Sequence, residues 1–416
     1  MHQHDLISCH DCGVLHRRRA LQARQKARCT RCRAVLYRGS SADLNRVVAL
    51  TLGAALVFLI AQFFPIVELE INGRRSSATL IGAIHVLWSQ QMRLVASMVF
   101  CSTIMFPAIE LGALLYVALG LRAGVKAPGF NPVLRAVRAA RRWGMTEVLM
   151  LGILITVIKM TSLARVAPQA GLFAFAALTV MLALVLSFDP KTLWQIGDQL
   201  APRPRPPVLY AALLAGEPLP CHACGLVALR APGRQHCARC GGALHRRHPD
   251  SLNRTWALLI AAMILYIPAN LLPVMYTHSL FGTEDDTIMS GVLFFWNSGS
   301  KGLAAIIFTA SIVVPMLKLG VLTLLTWTAQ RRSRWRPQQR TKLYRLVEFI
   351  GRWSMLDIFV VTLTVALVRF QSLAVITAGP GALAFGSVVV LTMLASMQFD
   401  PRLIWDHLAP HGEKHV

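Results

Sequence analysis

The chain repeats itself. Displaced by 208 residues, Leu44-Asn45-Arg46 falls on Leu252-Asn253-Arg254, Pro65 on Pro273, Thr79 on Thr287, Trp88 on Trp296 and Pro107 on Pro315, without a gap. Further along the offset grows to 210, where Trp143-Gly144-Met145 meets Trp353-Ser354-Met355, and then to 211, where Phe188-Asp189-Pro190 meets Phe399-Asp400-Pro401. One folding unit is therefore used twice. Every polar residue in an apolar stretch then has a counterpart: agreement between copies points to structure, and difference points to use.

Hydrophobic residues make up 55% of the 416 and charged residues only 15%, with a mean hydropathy of +0.52. A soluble domain of this size would not carry that surface. Apolar segments long enough to span a bilayer fall near 47–64, 94–121, 145–163 and 170–187, and again near 255–274, 302–328, 355–373 and 379–397. The expected fold is an all-α polytopic membrane protein of two parallel tandem repeats, with eight transmembrane helices, four per repeat. The net charge of +24 sits in loops between these segments. Nucleic acid is not expected as a partner, because the basic loops lack interleaved aromatics on which bases would stack.

Lys and Arg set the orientation. Residues 1–46, 122–142, 189–254, 329–352 and 402–416 carry ten, six, nine, eight and two of them, whereas the alternate loops at 65–93, 164–169, 275–301 and 370–378 carry five altogether. By the positive-inside rule both termini and the link between repeats face the cytoplasm, and the loops with Glu68, Glu70 and Glu284-Asp285-Asp286 face outward. No secretory signal precedes the first apolar segment, which is read as a retained helix. An even number of spans per repeat makes the copies parallel.

Eight of the nine cysteines form four CxxC knuckles: Cys9 and Cys12 with Cys29 and Cys32, then Cys221 and Cys224 with Cys237 and Cys240. Two such knuckles close a tetrahedron of thiolates, the arrangement zinc favours. In a reducing compartment they read as two structural zinc ribbons, not as disulfides. Iron in a four-sulfur site has the same spacing and stays open as the alternative metal. With four cysteines per site no coordination position is left for catalysis. Expected boundaries are ribbon one at 1–43, membrane module one at 44–200, a stiff Pro/Arg-rich linker at 201–216, ribbon two at 217–250, membrane module two at 251–410 and a tail at 411–416.

Four charged residues stand out within the apolar segments, where charge is costly and by default paired and functional. Glu110 aligns with Lys318, and Glu147 with Asp357. In the second repeat Lys318 and Asp357 lie within reach of each other on adjacent helices, and Ser311, seven residues before Lys318, shares its face. Thr392 lies in the corresponding half of the last helix. Ser311, Lys318, Asp357 and Thr392 are expected to form a buried polar network able to pass a proton, against the plainer reading of a structural salt bridge. In the first repeat Glu110 and Glu147 are expected close together with no cation at their depth, which would keep one protonated. Lys159 and its counterpart Arg369 read as interfacial anchors, and Cys101 as a small core residue.

Tandem CxxC ribbons each followed by four helices, with Leu-Asn-Arg before the first helix, Trp-Gly-Met or Trp-Ser-Met-Leu-Asp opening the third and Phe-Asp-Pro closing the fourth, resemble the paraquat-inducible protein A family. The resemblance covers nearly the whole chain. It implies an inner-membrane protein that works with an MCE-domain tunnel protein and moves lipid, phospholipid or a related one, between inner and outer membranes. It also supports the polar cluster of the second repeat. A non-transporting anchor for the MCE partner and a metal-dependent membrane redox protein are the alternatives. No GxxxxGK[ST] phosphate loop and no hydrolase arrangement is present, so no enzyme activity is expected.

Overall fold

A computed structural model describes residues 6–19, 21–22, 25–39, 44–71, 74–90, 92–160, 165–200, 218–229, 235–279, 282–299, 301–367, 369–370 and 374–408. The Pro/Arg-rich linker, the tail, Leu280-Phe281 and the side chains of Lys159, Glu284, Asp357 and Arg369 lie outside the described residues.

The first ribbon is a pair of two-stranded hairpins, β1 (Leu6–Ser8) with β2 (Leu15–Arg17) and β3 (Lys26–Arg28) with β4 (Val35–Arg38). Helix α1 (Leu44–Phe63) leads to the hairpin β5 (Val67–Ile71) and β6 (Arg74–Ala78), then to α2 (Leu80–Ser89). Thr79 caps α2 by accepting from the Gly82 amide, which satisfies one of the orphan donors of a helix start. Helix α3 runs Arg93–Phe100, a π turn Cys101–Met105 and Phe106–Arg122; it is followed by α4 (Phe130–Trp143), α5 (Thr146–Met160), β7 (Arg165–Pro168), α6 (Ala170–Leu186) and α7 (Pro190–Leu200).

The second repeat follows the same plan. After β8 (Pro218–Pro220) and β9 (Val227–Leu229) of its ribbon come α8 (Ser251–Leu271), β10 (Met275–Ser279), β11 (Gly282–Asp286) and α9 (Ile288–Asn297). Helix α10 is made of Lys301–Phe308, a π turn Thr309–Val313 and Val314–Gln330; then come α11 (Pro337–Trp353), α12 (Leu356–Leu367), β12 (Arg369–Phe370), β13 (Ala374–Ala378) and α13 (Pro380–Gln398).

Among the described residues five helices are long and apolar enough to cross a membrane: Leu44–Phe63, Arg93–Arg122, Ser251–Leu271, Ala304–Gln330 and Pro380–Gln398. A sixth span results if α6 and α7, bent by 53° to each other, are counted as one. Among the described residues the third apolar segment of each repeat forms a helix of 15 residues in α5 and 12 in α12. At 1.5 Å per residue these described lengths fall short of the roughly 30 Å of a hydrocarbon core. The next described elements are strands. β7 pairs with β5, Val67 against Pro168, and β13 pairs with β10, Met275 against Ala378. Each repeat thus carries a small antiparallel sheet at the end away from the ribbons, where the sequence shows only loops.

The first and fourth helices of each repeat pack side by side, α1 with α6 and α8 with α13, and the repeats meet through α5, α12 and α2. Phe175, Leu178, Phe359 and Val388 fill this shared core. The outer faces stay apolar: Phe63 is 74% exposed and Leu271 72%, which fits hydrocarbon chains and not water as the surrounding medium. The strand turn reaches the fourth helix backbone to backbone. Gly171 and Gly381 donate to the Pro65 and Pro273 carbonyls at 3.0 and 2.9 Å.

The ribbons change places. Ribbon one packs on repeat two, its cysteines and Leu36 clustering with Leu325, Tyr344, Phe399, Ile404 and Trp405. Arg345 bonds Asp11 at 2.6 Å and the Cys32 carbonyl at 3.0 Å. Ribbon two packs on repeat one, against Leu114, Val117, Phe130, Leu134 and Trp194. There Arg239 pairs with Asp198 at 2.8 Å, and Asn131 donates to the Arg239 carbonyl at 3.0 Å. Helices α4 and α11 supply both platforms. Each is amphipathic, with Leu134 and Val137, or Tyr344 and Val347, buried at helical spacing, and Arg141 and Arg340 turned inward with them.

Candidate functional site

Each CxxC knuckle is a tight turn whose second cysteine is followed by a left-handed residue: Gly13, Arg33, Gly225 and Gly241, with φ between 60° and 78°. The turns bring four sulfurs together in each ribbon, all within 4.8 Å of one another. Cys9 and Cys32 sulfurs lie 3.4 Å apart and those of Cys12 and Cys29 3.5 Å; in ribbon two, Cys221 to Cys240 is 3.5 Å and Cys224 to Cys237 3.6 Å. Disulfide sulfurs would be about 2.05 Å apart, whereas thiolates about 2.3 Å from a tetrahedral ion sit somewhat under 4 Å from each other. Both clusters could hold a metal ion.

In the membrane region the second repeat builds a buried lysine site. Lys318 in α10 is fully buried. Its Nζ donates to Thr392 Oγ1 of α13 at 2.8 Å and to Ser354 Oγ, between α11 and α12, at 3.0 Å. Each acceptor turns its own proton onto a backbone carbonyl, Thr392 to Val389 at 3.0 Å and Ser354 to Gly351 at 3.1 Å. These two hydroxyls accept two N–H groups of the Lys318 side chain. Asp357 opens α12 three residues beyond Ser354. The sequence pattern Trp-Ser-Met-Leu-Asp contained Ser354, but a serine at a helix junction is an ordinary capping residue, and its role as an acceptor shows only in three dimensions.

Ser311 lies in the π turn of α10 and is buried. Pro315 has no N–H to return to the Ser311 carbonyl; the turn is carried instead by the Val314 amide, which bonds the Thr309 carbonyl five residues back. Ser311 lines an apolar cavity of about 90 Å³ between α9, α10, α12 and α13, together with Phe295, Ile307, Thr364 and Phe385. This cleft reaches Asp286 and Thr287 at the foot of the strand end. Ser311 is two helical turns from Lys318, so the described hydrogen bonds join Lys318, Ser354 and Thr392, while Ser311 belongs to the cleft.

The first repeat departs from expectation. Glu110 is not left with Glu147 alone: Arg141 of α4 donates from Nε to Glu110 Oε1 at 2.7 Å and from Nη1 to the Phe188 carbonyl at 2.9 Å. The cation comes from an amphipathic helix outside the apolar segments, bent back against the end of α3, where a count restricted to those segments does not find it. Glu147, half-buried at the start of α5, forms no ion pair among the described residues. Cys101 sits half-buried in the π turn of α3.

The model of the family described as "Paraquat-inducible protein A" matches residues 44–197 and again 252–409, once per repeat. The chain is 33% identical over 403 residues to "Intermembrane transport protein PqiA" of Escherichia coli K12, covering 96% of this chain and 95% of that protein. It is 32% identical over 403 residues to "Lipophilic envelope-spanning tunnel protein A" of the same organism, covering 97% and 91%. A "Probable intermembrane transport protein" of Haemophilus influenzae is 30% identical over 96% of this chain and 95% of that one. No solved structure matches. With its two matched repeats and relatives aligned over nearly its whole length, the chain belongs to the paraquat-inducible protein A family.

Proposed function

We propose that this chain is a lipid transporter or loader of the bacterial inner membrane, not an enzyme, and that it exchanges lipid with an MCE-domain periplasmic tunnel protein standing over its strand end. It crosses the membrane eight times. The short third helices α5 and α12 complete their crossing through the strands that follow them, and both termini and both ribbons face the cytoplasm. Two structural zinc ions sit in the cysteine clusters. The names of its relatives, "intermembrane transport" and "envelope-spanning tunnel", support the transport class. The excess of Lys and Arg on the ribbon side supports the orientation.

One observation carries the reading: Lys318 is buried among membrane helices with two hydroxyls as its acceptors, while its counterpart position in repeat one is a conventionally paired acid. A buried ammonium held by hydroxyls is costly to keep for stability alone. In this reading Asp357 accepts the third N–H and takes up a proton during the cycle. Its protonation frees Lys318, shifts α10 at its π turn, and opens the apolar cleft at Ser311 to an acyl chain. The test is outer-membrane integrity and lipid transfer in cells whose chain carries Lys318→Ala or Asp357→Asn. Loss of both with normal accumulation in the membrane supports the reading; retained transfer in both variants overturns it.

A further inference from the structure

At the ribbon end, away from the Ser311 cleft, the two ribbons and the end of repeat one enclose a second cavity of about 520 Å³. Seven cationic side chains line it and one carboxylate, Asp189. Three of the cations are already paired with acids behind the wall: Arg141 with Glu110, Arg239 with Asp198 and Arg402 with Asp400. The other four are Arg18 and Arg38 of ribbon one, Arg138 of α4 and Lys191 of α7, and none of them forms an ion pair among the described residues. Arg239, 4% exposed, also keeps a buried Nη2 without an acceptor among the described residues. Cys9, Cys221 and Cys224 also line the cavity, so thiolates of metal-loaded ribbons add negative charge to its wall, although each of these residues is only 1–3% exposed.

The cavity has an apolar annex. A smaller space, of about 20 Å³, shares Arg141, Phe188, Asp189, Pro190 and Thr192 with it, and is otherwise closed by Leu44 and Val47 of α1, Leu114 of α3, Val185 of α6 and Leu193 of α7. Of the four cations, Arg138 donates to the Ala223 carbonyl and Arg18 lies over the Tyr37 ring, but none has an acid partner among the described residues; guanidinium and ammonium groups without a counter-ion, beside a wall of aliphatic side chains at the edge of the bilayer, match an amphiphile with an anionic head. Guanidinium groups bind phosphate oxygens through charge-assisted, often bidentate, hydrogen bonds.

We propose that this cavity binds the phosphate of an anionic phospholipid from the ribbon-side leaflet, with its acyl chains leaving past the aliphatic residues beside it. Because ribbon one, ribbon two and repeat one all contribute walls, the bound lipid ties the exchanged ribbons to the membrane module. The site is separate from Lys318 and does not rest on the transport reading.

The experiment uses the full-length, zinc-loaded protein in nanodiscs of equal phosphatidylglycerol and phosphatidylcholine, released into the gas phase for native mass spectrometry. The expected result is retention of phosphatidylglycerol over phosphatidylcholine by about tenfold, the factor that roughly 1.4 kcal/mol of charge-assisted contact provides. That preference falls away in Arg138→Gln/Lys191→Gln and persists in the exposed control Arg332→Gln/Arg334→Gln and in Lys318→Ala. Equal retention of the two lipids by the unaltered protein overturns the proposal, whether or not the double variant folds. Displacement of phosphatidylglycerol by millimolar inorganic phosphate also overturns it, by assigning the site to a soluble anion. A double variant that keeps its zinc and its preference does the same.

Discussion

Gly351 of α11 stands where repeat one has Arg141, and a Cβ at Gly351 would lie 3.9 Å from Lys318 Cε. The two repeats therefore place a cation at one locus from opposite sides. In repeat one α4 sends Arg141 to the acid on α3. In repeat two the acid is replaced by Lys318 itself, and the facing helix gives up its side chain to make room. A charge reversal on one helix and a truncation on its neighbour are coupled changes, which turn a closed ion pair into an ammonium held by two hydroxyls.

Lys318→Met keeps the length of the side chain and removes its charge. Buried charges replaced by apolar groups of similar shape leave stability unchanged or improved, so the variant is expected to accumulate normally and to melt at or above the temperature of the parent in detergent. Lipid transfer in the same variant is expected to be lost. Normal transfer would reduce Lys318 to a packing residue.

The Glu110–Arg141 pair should behave in the opposite way. The two side chains are 5% and 13% exposed, and removing one partner of a buried pair costs about 3–5 kcal/mol because the other stays charged and unpaired. Arg141→Met is expected to lower thermal stability and accumulation strongly, and Glu110→Leu/Arg141→Met to recover most of the loss. Failure of the double variant to recover would show that Arg141 matters chiefly for its bonds to the Phe188 and Val185 carbonyls.

The duplication, the cysteine clusters and the position of Lys318 were legible because each rests on local pattern: a shift of register, a CxxC spacing, a charge in an apolar run. Arg141 was not, because its sequence neighbours Arg138 and Arg142 make it look like one more topology-setting cation, and only the fold of α4 back onto α3 gives it an acid. The sheets were missed for a related reason. Val67–Ile71 and Met275–Ser279 alternate too briefly to signal strands, and their partners β7 and β13 come from about a hundred residues away. The exchange of ribbons left no mark in the sequence, since two ribbons with equivalent knuckles fit either platform by composition.

Gly171 and Gly381 hold equivalent places at the starts of α6 and α13. A Cβ at Gly171 would come within 2.5 Å of the Phe64 and Pro65 carbonyl oxygens, and one at Gly381 within 2.5 Å of Leu272 O and 2.8 Å of Pro273 O. Backbone cannot yield as a flexible side chain does. Gly171→Ala and Gly381→Ala are each expected to destabilise their repeat by a few kcal/mol, seen as a lower melting temperature; a change within error in both would mean that the strand turn moves freely relative to the fourth helix.

Arg33 occupies the left-handed position, φ 60°, that glycine fills in the other three knuckles. A side chain there costs roughly 1 kcal/mol. Arg33→Gly is therefore expected to tighten metal retention by ribbon one about fivefold against a competing chelator, with ribbon two unchanged; weaker retention would assign the Arg33 side chain a contact that outweighs the strain.

Metal removal should act across the exchange. Ribbon one has little core of its own, and its folding depends on the metal its cysteines hold, while its outer face covers Tyr344, Ile404 and Trp405 of repeat two. Cys29→Ser is then expected to unfold ribbon one and to uncover α11 and the turn Pro401–Ile404, leaving α4 protected by ribbon two. Cys237→Ser is expected to do the reverse, exposing α4 near Leu134 and sparing α11. Hydrogen exchange of the purified protein distinguishes the two patterns, because Arg345 loses Asp11 in the first variant and Arg239 loses its fold in the second. If each variant instead deprotected the helices of its own repeat, the ribbons would not be exchanged in the membrane-embedded protein, and the basic cavity that both of them wall would lose its architecture.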